Sequence, residues 1–351
     1  MFIFDAMAKH IFLFSLVLAC LFVFKTKVNA QDVHYTQYSF LPMLHSPANA
    51  GFFDENFRFS AIYRNQWASV PVNYNSIGAS FDANFLPNFK TGSKFGAGFN
   101  FYFDQAGDSK FQTLHAMVPI AYHLYIPIKD HKLKVSLGVE AGIQYKALST
   151  SELYYDSQFN GEVYNPDAEP NEEFNNLNVM NADFGSGINF EFETDKKLKF
   201  GLGFAVKHIN NAKEAYLNSN LDPTLRKRFV VPAYVYIPLG NKFDVNVSYQ
   251  FNEQNGSQEH LTGLMFGYYF QNLDVFKKKI NIGAFYRVKD APSIVVQYET
   301  NQFKIGLSYD ITASDFARAT NTYGGVELGA TYLIKNIEKP NLKLNKKCYT
   351  F

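Results

Sequence analysis

Residues 133–147 read LKVSLGVEAGIQYKA, a stretch in which apolar side chains occupy every second position without interruption. The positions between them, from Lys134 to Lys146, carry polar side chains or glycine. A period of two is typical of a β-strand, because successive side chains of a strand point to opposite faces of the sheet. Strands of globular proteins are usually about 5–6 residues long, so this strand is unusually extended.

The same alternation recurs along the rest of the chain. It is clearest at 243–252, 303–312 and 326–334, where apolar residues again occupy every second position. No long helical pattern separates these segments, so the connections are turns and the strands form an antiparallel meander. Fourteen strands are predicted, at 57–68, 72–85, 92–104, 110–126, 131–147, 177–193, 197–209, 226–238, 241–252, 259–271, 279–289, 292–300, 302–312 and 322–334.

Two architectures accommodate long alternating strands: a soluble barrel or sandwich with an apolar core, and an outer-membrane barrel with an apolar outer face. The strand lengths suit a tilted crossing of a bilayer, and the even strand count suits a closed barrel. With a periplasmic N-terminus, the long connections 148–176, 210–225 and 313–321 all face outside, as in such barrels. We therefore predict an all-β, transmembrane, antiparallel up-and-down β-barrel of about 14 strands.

The composition limits the classes of function. The chain has 33 Lys+Arg and 32 Asp+Glu, and this balance gives no electrostatic case for nucleic acid as a partner. With only 2 Cys, a disulfide scaffold and a cysteine-based zinc finger are excluded. The mean hydropathy of −0.19 excludes a membrane protein built of many spanning helices.

The first thirty residues have the pattern of a cleaved signal peptide. Lys9 stands before an apolar run at 11–24, and Val-Asn-Ala at 28–30 matches a small-residue cleavage site. Cleavage there leaves Gln31 as the mature N-terminus. The rival interpretation, lipid attachment at Cys20, is disfavoured because the apolar run continues past this cysteine and leaves no linker.

The chain is accordingly divided into four parts. Residues 1–30 are the signal peptide, and 31–56 are predicted to be a periplasmic N-terminal segment that docks at the barrel mouth or plugs the lumen. Residues 57–334 form the outer-membrane barrel. Residues 335–351 form a basic periplasmic tail, either simply solvated or in contact with a periplasmic partner.

Motifs that indicate catalysis are scarce. Residues 183–185 spell the kinase triplet DFG, but they lie within an alternating strand and lack the other kinase motifs. His115 and His123 share a strand face, yet eight residues of strand separate them by about 26 Å, too far for one metal ion. The glycines at 94–98 indicate bends or close backbone approach, since no helix follows to bind a phosphate. We predict no catalytic residue, no cofactor, no metal and no enzyme activity.

Acidic residues fall in two places. Asp183, Glu191 and Glu193 lie on the predicted lumen face of one strand, where they tune ion passage, dock a plug or simply line a solvated interior. The loop 148–176 carries seven acidic residues and no Lys or Arg. A partner surface and an ordinary solvated loop both remain open for it, and the solvated loop is preferred over calcium binding.

The alternating strand pattern of a barrel does not account for two segments of the sequence. Residues 37–51, QYSFLPMLHSPANAG, are apolar and contain two prolines, and residues 63–67 read YRNQW. Together with GLSYD at 306–310 and GGVE at 324–327, they resemble the PorP/SprF family of type IX secretion system outer-membrane proteins of Bacteroidetes. The motif or docking positions that the resemblance marks are Gln37, Tyr38, Pro47, Ala48, Ala50, Gly51, Tyr63, Arg64, Asn65, Gln66, Trp67, Gly324, Gly325 and Glu327.

The resemblance implies a non-enzymatic barrel in outer-membrane lipid that assists export or surface display of secreted proteins. Its implied partners are other type IX components, namely periplasmic ring and motor proteins, and exported substrates with C-terminal sorting domains, gliding adhesins among them. The main alternative is an outer-membrane porin or small-solute transporter, which a steady conductance would indicate. A soluble secreted β-sandwich is the third class.

Overall fold

The computed structural model describes residues 32–334 apart from 71–72, 86–91, 108, 151–152, 166, 170–176, 215–223 and 274–276. The predicted signal peptide and the basic tail with Cys348 therefore lie outside the described residues. So do Glu152, Glu172 and Glu173 of the acidic loop. In the described part, no helix is both long enough and apolar enough to cross a membrane.

Fourteen β-strands run through the described residues. They are β1 Phe57–Gln66, β2 Tyr74–Phe85, β3 Lys94–Ala106, β4 Phe111–Ile128, β5 His131–Ala147, β6 Asn178–Glu193, β7 Lys199–Lys207, β8 Arg228–Leu239, β9 Phe243–Gln254, β10 Ser257–Asn272, β11 Lys277–Arg287, β12 Ala291–Thr300, β13 Phe303–Ile311 and β14 Tyr323–Ile334. Each pairs antiparallel with its neighbours in sequence, and β1 pairs with β14 to close the barrel. The predicted 14-strand up-and-down barrel is confirmed, and every strand end lies within two residues of its predicted position.

The alternation sorts side chains onto the two faces of the barrel wall. On β5, Leu137 and Val139 are 56% and 62% exposed on the outside, whereas Ser136 and Glu140 face inward and are buried. The apolar faces of β13 and β14 point outward in the same way. A soluble barrel buries these side chains, but a membrane barrel presents them to lipid.

The two ends of the barrel differ. We call the end with the connections 148–177, 208–227 and 312–322 the loop end, and the end with the tight connections 129–130 and 240–242 the turn end. In outer-membrane barrels the long loops face outside and the short turns face the periplasm. The loop end is therefore assigned to the cell exterior.

Residues 32–56, which we call the plug segment, lie inside the barrel. The segment begins at the loop end, where the N–H of Asp32 donates to Gln254 Oε1 at 2.9 Å. It reaches β1 at the turn end, where the N–H of Asn56 donates to the carbonyl of Ile334. Between these points it forms one short α-helix, α1 Pro42–His45, flanked by 3-10 turns at Tyr38–Phe40 and Pro47–Asn49.

The apolar core of the molecule lies where the plug segment meets the wall. Phe40, Leu41 and Leu44 of the segment are buried against Ile62 of β1 and Tyr102 of β3. The prolines at the starts of α1 and of the second 3-10 turn suit those positions, since proline presets a helical φ and lacks an N–H that the first turn leaves unpaired. The segment is thus a packed element rather than a loose leader.

Candidate functional site

Glu327 on β14 holds the backbone of the plug segment. Its two carboxylate oxygens accept hydrogen bonds from the N–H groups of Thr36, at 2.7 Å, and of Gln37, at 2.9 Å. Arg64 of β1 pairs with the same carboxylate and, at 2.8 Å, with Asp310 of β13. A buried carboxylate is stable only when its charge is balanced and its oxygens are bonded, and this arrangement provides both.

We call the buried charged side chains that hold residues 34–37 the anchor. They are Arg64, Glu259, Arg287, Asp310 and Glu327. The second arginine extends the anchor along the wall. The hydroxyl of Thr36 donates to Asp310 Oδ1 at 2.9 Å and accepts from Arg287 Nη2 at 3.2 Å. Arg287 also pairs through Nε with Glu259 Oε2 at 3.1 Å. Oε2 of Glu259 in turn lies 3.5 Å from Nδ1 of His34 in the plug segment. Four strands, β10, β11, β13 and β14, therefore hold residues 34–37 through buried polar groups.

All four motifs that carry the family resemblance meet at this anchor, since Asp310 of the stretch 306–310 pairs with Arg64 and accepts a hydrogen bond from Thr36. On the closing seam of the barrel, Arg64 is in register with Glu327, and Gln66 with Gly325. The N–H of Trp67 donates to the carbonyl of Gly324 at 2.7 Å. The motifs at 63–67 and 324–327 thus lie side by side, and the motif at 37–51 enters the same cluster through Gln37.

Other motif positions lie away from the anchor. Tyr63 is 41% exposed on the outer face of β1, and Trp67 lies at the loop end with φ +59°. Asn65 and Gln66 are half-buried, and Gln66 accepts a hydrogen bond from Arg64 Nε at 3.3 Å. These residues shape the wall around the anchor rather than contact the plug segment.

At its turn end the plug segment is held by further polar contacts. His123 Nε2 lies 2.7 Å from the carbonyl oxygen of Ala50, and the N–H of Gly51 donates to Asp82 Oδ2 at 2.8 Å. Gly51 has φ +70°, a conformation that glycine adopts without strain. The chain turns here from the lumen toward β1.

Glycines on the inner wall let the plug segment approach the strands closely. A Cβ at Gly96 would overlap the carbonyl group of Ala50, and one at Gly138 would overlap the backbone of Ala48, next to Pro47. Five more inner-wall glycines meet the segment in the same way: Gly78, Gly98, Gly187, Gly306 and Gly329. The glycines at 94–98 therefore mark close backbone approach by a part of this same chain.

The three predicted lumen carboxylates occupy different surroundings. Asp183 is buried near the loop end, where it contacts two imidazoles. Glu191 lies nearer the turn end. It accepts a hydrogen bond from the hydroxyl of Tyr234 and pairs with Lys134 of β5 at 3.2 Å. Glu193 is half-buried and pairs with Lys199 at 3.3 Å. They do not form a single site.

The first described residue of the plug segment is held by an imidazole that follows β7. His208 Nε2 lies 2.6 Å from Asp32 Oδ2, and its Nδ1 lies 2.8 Å from Asp183. Burial alone would lower the pKa of His208, but these two carboxylates outweigh burial and raise that pKa to about 9. An imidazolium at neutral pH therefore holds the loop end of the segment. Arg228 Nη1 also lies 3.7 Å from Asp32 Oδ2.

Several residues of the site carry little or no signal of their role in the sequence. Asp310 is the last residue of the stretch 306–310, but nothing in that stretch indicates that its carboxylate meets Thr36 and Arg64. Arg287 and Glu259 stand out only as charged side chains on the inner faces of strands. His208 follows a strand end and belongs to no motif, so only the three-dimensional structure brings it to Asp183.

A closed antiparallel barrel with an apolar outer face and a segment packed in its lumen defines a plugged outer-membrane β-barrel protein. Residues 27–332 match the family described as "Type IX secretion system membrane protein PorP/SprF". The chain belongs to this family, and the resemblance inferred from its motifs is confirmed. It resides in the outer membrane.

The chain is also similar to several solved structures of bacterial proteins. The Pseudomonas putida toluene transporter TodX is 7% identical, with 88% of this chain and 99% of that chain covered and a TM-score of 0.46. A Pseudomonas aeruginosa FadL homologue is 10% identical, covering 82% and 92%, with a TM-score of 0.43. The translocator domain of the autotransporter NalP from Neisseria meningitidis is 9% identical, covering 80% and 89%, with a TM-score of 0.30. No curated protein matches the chain.

Proposed function

We propose that this protein is a non-enzymatic, plugged barrel that assists the export or surface display of secreted proteins by the type IX secretion system. The observation that carries the proposal is the plug segment, which is anchored to the wall at its loop end, its middle and its turn end. A diffusion porin needs a continuous water path through its lumen. A lumen occupied by an anchored segment therefore favours a barrel that assists export over a diffusion porin.

We propose that the loop end contacts exported proteins through their C-terminal sorting domains. The described part of the loop 148–177 exposes the apolar side chains Tyr154 and Val163, which are 79% and 64% exposed. It also carries exposed acidic side chains, among them Glu162 and Asp167. Apolar side chains within a charged rim are typical of protein contact surfaces. In the same proposal, the turn end faces the periplasmic ring and motor components.

Deletion of residues 37–51 is expected to abolish surface display of the exported partner while the barrel still folds. The deletion removes the packed core of the plug segment, whereas every strand pairing of the barrel remains. Display is measured by labelling intact cells with an antibody against the partner. Folding is measured by the shift in gel mobility that heating causes in a folded outer-membrane barrel.

A matched control is Asp54→Asn, which alters an exposed side chain in the same segment without touching the anchor. This variant is expected to display the partner normally. Unchanged display after the 37–51 deletion, in cells where the barrel is folded, would contradict a role of the plug segment in display.

A further inference from the structure

Two buried imidazoles near the loop end converge on one oxygen of a buried carboxylate. His115 Nε2 and His208 Nδ1 lie 2.7 and 2.8 Å from Asp183 Oδ2. The three atoms that can bind a metal all lie within 4.8 Å of one another. They come from β4, from β6 and from the residue that follows β7, so the barrel wall itself brings them together.

The second oxygen of this carboxylate has no partner. Asp183 is 1% exposed, and its Oδ1 accepts no hydrogen bond from any residue that the structure describes. A buried polar atom left unpaired costs free energy, and native proteins rarely leave one so. A cation bound by both oxygens of Asp183 would remove this cost.

We propose that His115, Asp183 and His208 form a binding site for a divalent transition-metal ion, with zinc as the ion that suits the donors best. Zinc binds imidazole nitrogen and carboxylate oxygen at about 2.0–2.2 Å. When four ligand atoms surround a zinc ion in a tetrahedron at that distance, any two of them lie about 3.4 Å apart. Small changes of side-chain torsion would bring the three donor groups, whose ligand atoms lie within 4.8 Å of one another, to that spacing. The two oxygens of Asp183 are too close together to take two vertices of the tetrahedron, so they share one, and a water molecule supplies the fourth ligand.

Asp32 of the plug segment supports one of the proposed ligands without contacting the metal itself. It bonds to Nε2 of His208, the ring nitrogen on the far side from Asp183. A carboxylate at this position fixes the tautomer of a metal-bound imidazole and makes it a better ligand. Because the metal takes the place of a proton on His208, its binding releases a proton. The ion would thus clasp the loop end of the plug segment to the wall.

The test uses the full-length protein, purified without a histidine tag, stripped with a chelator and dialysed against Zn²⁺ at pH 8. Elemental analysis is expected to give one zinc per folded chain, and Co²⁺ to give the visible absorption of a tetrahedral site. His115→Gln and Asp183→Asn are expected to abolish both signals. Asp32→Asn is expected to weaken zinc binding about 10- to 100-fold. His131→Gln, on a histidine at the turn end, is the matched control and should bind normally.

Two results would overturn the proposal. One is a folded intact protein that takes up neither Zn²⁺ nor Co²⁺, which would identify the cluster as hydrogen-bonded only. The other is uptake that persists unchanged in His115→Gln, which would place the ion elsewhere on the surface. The Co²⁺ spectrum is read on the intact chain, so the test stays decisive even if a variant fails to fold.

Discussion

A barrel without residues 37–51 will conduct ions steadily across a planar lipid bilayer, whereas the intact protein will remain closed. The expected effect is large because the plug segment occupies the interior of a wide barrel. Side chains alone fill a barrel of about 8 strands, and porins of 16–18 strands enclose an aqueous channel. A barrel of 14 strands lies near the wide end of this range, so removing the segment opens a path for water and ions.

The cavity already present beside the plug segment supports this expectation. It measures about 440 Å³ and lies between the segment and the wall, with Tyr38, His45 and Lys279 among its lining residues. Asp54→Asn serves as the control, since it leaves the packed part of the segment intact. Steady conductance by the intact protein, equal to that of the deletion, would favour the porin interpretation instead.

Glu327→Ala will loosen the packing of the plug segment in the lumen. The substitution removes both acceptors of the Thr36 and Gln37 N–H groups and leaves the buried charge of Arg64 with one fewer partner. Breaking a buried ion pair by removing one partner costs about 3–5 kcal/mol. We measure this loosening as the rate at which a maleimide labels Ser46→Cys, a position that is fully buried in the closed state. Labelling is expected to accelerate on the order of 100-fold or more, since 1.4 kcal/mol corresponds to about tenfold.

The matched control removes a charge of the same sign at an exposed pair. Glu193 pairs with Lys199 at the turn end, and both side chains are partly exposed. Exposed pairs contribute about 0–1 kcal/mol, so Glu193→Gln should change the labelling rate less than about fivefold. If Glu327→Ala labels no faster than this control, the buried anchor does not hold the segment. Both measurements use a Cys348→Ser background, so that the engineered cysteine alone is labelled.

The strands could be predicted closely because their signal is local. On β5, for example, the alternation from Leu133 to Ala147 assigns each side chain to lipid or lumen without knowledge of any other strand. The many phenylalanines follow the same rule, since Phe59, Phe266 and Phe303 all lie exposed on the outer face. Neighbouring strands in sequence are also neighbours in the barrel, so turns alone predict most of the topology.

The site could be predicted only in part, because its contacts join distant parts of the chain. Thr36 and Glu327 are 291 residues apart in sequence, and no periodic pattern relates them. Family motifs marked Gln37, Arg64 and Glu327 as important positions, but their meeting inside the lumen emerges only from the closed barrel. His208 carried no sequence signal at all, since its role depends on Asp32 and Asp183 arriving from two other elements.

Disulfide trapping tests most directly whether the plug segment lies inside the barrel. Ser46 Oγ lies 3.4 Å from Asn189 Oδ1 of β6. In the Cys348→Ser background, the pair Ser46→Cys and Asn189→Cys is expected to form a disulfide in native membranes, seen as a mobility shift without reductant. The control pair joins Ser46→Cys to Ser308→Cys on β13, across the barrel from β6, and should not form one. A folded barrel in which the first pair stays reduced, or in which both pairs react equally, would show that the plug segment does not lie in the lumen against β6.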